Sequence, residues 1–121
     1  MTSIRLDLEN NVVFIKLSGV VSVEDGKKFL VELMASLPDM KPGFSIINDI
    51  SELRIFDPAY MEVLEKGHDI INQYSPGKVI RVIGNAKDTL FKFAKFDVEV
   101  RAEKSEFVPD METAMQILNL K

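Results

Sequence analysis

The chain contains no cysteine, no tryptophan and a single histidine, His68. Without cysteine there is no disulfide, no thiol redox chemistry and no thiolate zinc site, and a reducing, cytoplasmic setting is the expectation. With one histidine, a Ser-His-Asp triad would have to use His68, and no nucleophile elbow or oxyanion-hole sequence accompanies it. A lone histidine without nearby partners is also a poor start for a metal site. No apolar run approaches the roughly 18 residues of a membrane span. Residues 1–20 lack the basic start and apolar core of a signal peptide. Positive charge is not in excess: 15 Lys and Arg against 19 Asp and Glu leave a net −4, which argues against general nucleic-acid binding. The glycines fall in neither a P-loop nor a dinucleotide spacing. No repeat, low-complexity tract or linker interrupts the chain.

What is present fits one domain spanning residues 1–121. At this length about two thirds of the extended surface can be buried. "IRLDL" (4–8) alternates apolar and polar as a half-buried strand does, and "VVFIKLSG" (12–19) is a more apolar one. The short "ENN" between them predicts an antiparallel hairpin. Ser22, with Asp25 three residues on, reads as a capping box. Gly26, Phe29, Leu30, Leu33, Met34 and Leu37 then recur at helical spacing up to Pro38.

"FSIIND" (44–49) predicts a third strand, followed by a polar loop. Asp57 is placed to cap a second helix with Pro58 at its first position. Tyr60, Val63, Leu64, Gly67, Ile71 and Tyr74 form its stripe. Gly26 and Gly67 both lie on core-facing stripes, which implies close helix-to-sheet approach, since a mid-helix glycine costs about 1 kcal/mol relative to alanine. "KVIRVIG" (78–84) is a fourth strand, and Asn85 is placed to cap a short third helix with inner residues Ala86, Leu90, Phe93 and Ala94. "FDVEVRA" (96–102) alternates and predicts an edge strand. Asp110 caps a last helix with stripe Met111, Ala114, Met115 and Leu118. The expected fold is α/β: a mixed, mostly parallel sheet with an N-terminal antiparallel hairpin and about four helices, joined by right-handed crossovers.

Several segments resemble the STAS family, the domain shared by anti-sigma-factor antagonists and sulfate transporters. "VVFIKLSGVVSVEDGKKFLVEL" is similar to its opening strand, glycine and first helix. "FSIINDIS" is similar to the strand ending in an Asp-x-Ser step, here Asp49 and Ser51. "IRVIGNAKDTLFKFAKF" and "DMETAMQIL" resemble its later strand, short helix and final helix. "FDPAYMEVL" falls where antagonists carry Asp-Ser-Ser-Gly, whose second serine is phosphorylated by a kinase-type anti-sigma factor. Here Asp57 keeps the aspartate, but Pro58 and Ala59 stand at the serines and have no hydroxyl. The resemblance therefore implies a regulatory module without phosphorylation at Ala59, leaving Ser51 as the fallback acceptor.

The loop carboxylates Asp49, Glu52 and Asp57 could bind Mg²⁺, but no motif fixes them around an ion, and capping and solvation account for them. No metal and no cofactor are expected. Phe91 falls outside the inner face of its helix, beside Lys87 and Lys95, and could meet a partner or an anionic surface. Phe56 reads either as a docking anchor or as a hydrophobic staple ahead of Asp57. The reading is a non-catalytic protein-interaction module whose surface comprises Asp49, Ser51, Arg54, Phe56, Asp57, Tyr60 and Phe91. Its partner would be a kinase-type anti-sigma factor or other regulator, with weak self-association left open. The alternative is a small apolar ligand or lipid held between the last helices and the sheet edge by Phe91, Phe93, Phe96 and Phe107.

Overall fold

The structure is a computed structural model that describes residues 1–56, 58–85, 87–99 and 105–120, with backbone alone at 55, 56, 87, 89 and 99. Five strands form one sheet in sequence order: β1 (Thr2–Asp7), β2 (Val12–Val21), β3 (Ser45–Phe56), β4 (Val79–Val82) and β5 (Glu106–Val108). The β1–β2 pair is antiparallel, and β2–β3, β3–β4 and β4–β5 are parallel. The parallel steps are bridged by α1 (Val23–Ser36), α2 (Tyr60–Asn72) and α3 (Lys87–Glu99), and α4 (Met111–Ile117) ends the chain.

The two-residue period of the strands sorts their side chains between two layers. Val13, Ile15, Leu17, Ile46 and Ile50 face α1, α2 and α3, where they meet Phe29, Leu33, Val63 and Phe93. Val12, Ile47, Ile80, Val82 and Val108 face the opposite way and are covered by Ala114 and Met115 of α4 and by Leu118 just after it. Three helices thus cover one face and one short helix the other. The helix starts follow the sequence where a short polar side chain is available. Ser22 accepts from the Asp25 N–H while Asp25 accepts from the Ser22 N–H, a full capping box, and Asp110 accepts from the Thr113 N–H.

The seam between α1 and α2 is made by the two stripe glycines, and it joins helix to helix, not helix to sheet as expected. A Cβ at Gly26 would lie 2.7 Å from Val63 Cγ1 and 2.9 Å from Tyr60 Cε2, closer than packed carbons tolerate. Gly67 faces Phe29, Leu30 and Leu33 from the other helix at ordinary contact distances of 3.6–3.8 Å.

Three expected boundaries move. The third strand does not end at Asp49 but continues to Phe56, because the extended end of β2 pairs with it through Val20↔Ile55 and Val21↔Phe56. The second helix starts at Tyr60 with Ala59 at the cap position, so Pro58 precedes it; the Asp57 cap itself lies outside the described residues. The expected edge strand over 96–102 is wrong for its described part: α3 runs on through Glu99, and the edge strand is β5. Alternation in "FDVEVRA" is real, but Phe96 is also three residues after Phe93. Burial of Phe96 and a buried partner for Asp97 favour the helix. The Asn85 cap adjoins residue 86, which is outside the described residues.

Candidate functional site

The helix-covered face is not solid. A cavity of about 410 Å³ lies between the sheet, α2 and α3. Its walls are mostly apolar, with Ile15 and Ile46 on the floor, Leu64 and Ile71 from α2, and Phe93 and Phe96 from α3. His68, Asn72, Ser75, Asn48, Arg81 and Ser105 are its polar lining residues.

The polar centre follows from strand register. Ile80 and Val82 point to α4, so Arg81 between them must point to the cavity side. Asn48 pairs with Arg81 across the β3–β4 ladder and with Ile15 across β2–β3. The Arg81 Nη1–H donates to Asn48 Oδ1 at 2.7 Å, and the Asn48 amide donates to the Ile15 carbonyl at 3.2 Å. From α3, Asp97 accepts from Arg81 Nε at 3.2 Å and from Nη2 at 2.7 Å. This two-pronged geometry is the strongest that arginine and carboxylate form. Both side chains are only 11% exposed. The guanidinium also lies 5.0 Å from the centre of the Phe93 ring, within cation–π range. On α2, His68 meets Phe96 edge-on with centroids 6.4 Å apart, and its Nε2 lies 3.0 Å from the Asn72 amide nitrogen.

None of Asn48, His68, Arg81 and Asp97 stood among the expected site residues. One signal was legible: an arginine in the middle of "KVIRVIG" cannot be buried on a strand without a partner. Of the four phenylalanines expected around a ligand, Phe93 and Phe96 are wall residues. Phe91 and Phe107 are not: Phe91 is 72% exposed and Phe107 packs against the core cluster that contains Ile50 and Phe93. Val98, two turns after Phe91, is likewise exposed, so α3 carries an apolar strip on its outer side.

The expected docking residues are dispersed. Asp49, Ser51 and Arg54 lie on β3 and not in a loop. The β2–β3 register skips between Lys16 and Ser18 and again between Gly19 and Val20, and such bulges re-aim side chains. Asp49 Oδ1 accepts from both the Ser51 N–H at 3.0 Å and the Ser51 hydroxyl at 2.6 Å. Glu52 pairs with Lys16 at 2.7 Å on the surface, and the Glu52 carboxylate raises the Lys16 pKa. Gly84, at φ +59°, folds back against Ser51. Arg54, Pro58 and Ala59 are exposed. Tyr60 is fully buried, so it cannot belong to a docking surface. It fills the space opened by Gly26. Burial pushes its phenol pKa up, with the Thr2 hydroxyl acting in the opposite sense. The Phe56 side chain and Asp57 lie outside the described residues. Among the described residues, no three of His, Asp or Glu gather as a metal site, and no helix is long and apolar enough to cross a membrane.

No family model and no curated protein matches the chain. Solved structures do. The anti-sigma factor antagonist SpoIIAA in its unphosphorylated form superposes with a TM-score of 0.70 at 13% identity, covering 98% of each chain. An anti-sigma factor antagonist from Mycobacterium paratuberculosis gives 0.62 at 12% identity, over 98% of this chain and 93% of that one. The murine Slc26a9 anion transporter gives 0.59 at 12% identity, over 90% of this chain but 18% of the transporter. With the mixed sheet, its antiparallel opening hairpin and four helices, the chain has the STAS-like fold of the anti-sigma factor antagonists.

Proposed function

We propose that residues 1–121 form a single non-catalytic regulatory module whose recognition element is the cavity between the sheet, α2 and α3. The observation that carries this reading is the space itself, about 410 Å³ walled by Ile15, Ile46, Leu64, Ile71, Phe93 and Phe96. Small-molecule sites have this size and composition, whereas cores of this class normally close to crystal-like density. The ligand is a small molecule with an apolar body. An enzyme reading finds less support: the described hydrogen bond of His68 goes to Asn72 and not to a nucleophile, so a base is not poised against an attacking group. The test is to fill the space. Ile71→Phe should keep the fold and weaken binding of the neutral dye N-phenyl-1-naphthylamine at least tenfold. Unchanged dye affinity in a folded variant would contradict the cavity reading.

A second reading, docking of a protein partner in the cytoplasm, is favoured by the exposed Arg54, the exposed Pro58–Ala59 turn and the Phe91–Val98 strip. In this reading the antagonist-type phosphorylation switch is absent. Pro58 and Ala59 have no acceptor oxygen, and a phosphate on Ser51 would break its bond to Asp49 and set two anions together. Arg54→Ala and Phe91→Ala should leave the melting temperature unchanged and weaken binding to a kinase-type anti-sigma factor. Full affinity in both variants would exclude this surface.

A further inference from the structure

We propose that the cavity selects neutral molecules presenting a carbonyl oxygen on an apolar body, and discriminates against both carboxylates and amines. This rests on the cavity reading above and adds the chemistry of the ligand's head group.

Charge is the first ground. Arg81 is the cationic side chain among the described cavity walls, and its charge is already matched by Asp97 through two hydrogen bonds. A ligand carboxylate would bring a second anion to a pair that is 11% exposed on each side, and uncompensated charge is poorly tolerated there. An ammonium fares no better. Asp97 is not among the residues that reach the cavity, and both of its oxygens are engaged by Arg81.

Hydrogen-bonding capacity is the second ground. A guanidinium has five N–H groups. Three of those on Arg81 are taken, by Asp97 twice and Asn48 once, which leaves two. An asparagine amide has two, and Asn48 uses one on the Ile15 carbonyl. The Asn48 oxygen already accepts one bond from Arg81, which leaves it one lone pair. Arg81 and Asn48 both line the cavity. The unspent capacity of these two side chains is therefore three N–H groups against one lone pair, and a donor-rich, charge-balanced site is matched by a neutral acceptor. Ketones, aldehydes, esters and amides supply one. The volume of about 410 Å³ lies toward the lower end of the range for small-molecule sites, so the ligand is small.

The test is displacement of N-phenyl-1-naphthylamine from the full chain at neutral pH by three ten-carbon competitors, 2-decanone, decanoate and decylamine. The ketone should displace the dye at a concentration at least tenfold below either charged competitor. Asp97→Asn, which keeps the shape but removes the counter-charge, should improve decanoate at least tenfold relative to the ketone. The wild-type ranking decides the matter even if that variant fails to fold. Decanoate or decylamine equal to or better than the ketone in the wild type would overturn the head-group proposal while leaving the cavity as a binding site. Absence of dye binding, together with absence of binding by any competitor in calorimetry, would overturn both.

Discussion

The two flanks of α2 are built in opposite ways. Toward α1, glycines at 26 and 67 remove side chains so that the helices close onto each other, with Val63 and Tyr60 filling what remains. Toward α3, the same helix presents Leu64, His68 and Ile71 to open space, and Asn48 and Arg81 line the gap, with Arg81 tied to Asp97 of α3 behind it. Apolar packing alone drives surfaces to close-packed contact. A charge-balanced polar network between β4 and α3 fixes their separation instead. The lesson is that one helix can be sealed on one side and held off on the other by a handful of residues.

Removing the strut should have the largest effect. Asp97→Ala leaves the Arg81 guanidinium buried without its counter-charge, and breaking such a pair costs about 3–5 kcal/mol. The double change Arg81→Met with Asp97→Leu should recover most of that in denaturant unfolding, because the desolvation of both charges disappears with them. A double variant as unstable as the single one would show that the pair does more than balance charge. On the sealed flank, Gly26→Ala should cost about 1–3 kcal/mol, the range for overpacking, since the new methyl meets Val63 at 2.7 Å. Gly67→Ala sharpens the contrast. Its Cβ would sit at ordinary contact distances, and alanine favours the helix by about 1 kcal/mol, so the variant should match or exceed wild-type stability. Equal losses at both glycines would mean that the seam is not closed specifically at Gly26.

How much of this was legible in the sequence depended on whether the signal was local. The caps at Ser22 and Asp110 are short-range patterns, and each stands where expected; the glycine stripe is also local, but what it packs against, a helix and not the sheet, is not. The parallel arrangement of β2, β3 and β4 followed from strand–helix alternation. The length of β3 did not. "ISELRIF" is polar enough to read as loop, and only pairing with the far end of β2 makes it a strand. The 96–99 segment carried two periods at once, and Asp97 chose the helix because its partner Arg81 is sixteen residues away in sequence but adjacent in space. Tyr60 carried two readings, a member of the α2 stripe and a docking residue, and the gap left by a glycine on another helix buries it with the stripe. The cavity was foreseen only as an alternative, with half of its aromatic walls, since empty volume depends on how far apart whole elements are held.

The most direct measurement is a solution NMR titration of methyl and side-chain amide signals with 2-decanone. The account predicts shifts at Ile15, Ile46, Leu64 and Ile71 and at the Asn48 amide, with Ile80, Val82 and Ala114 on the α4 face unmoved. Shifts confined to the outer side of α3 around Val98, or shared equally by both faces of the sheet, would contradict it.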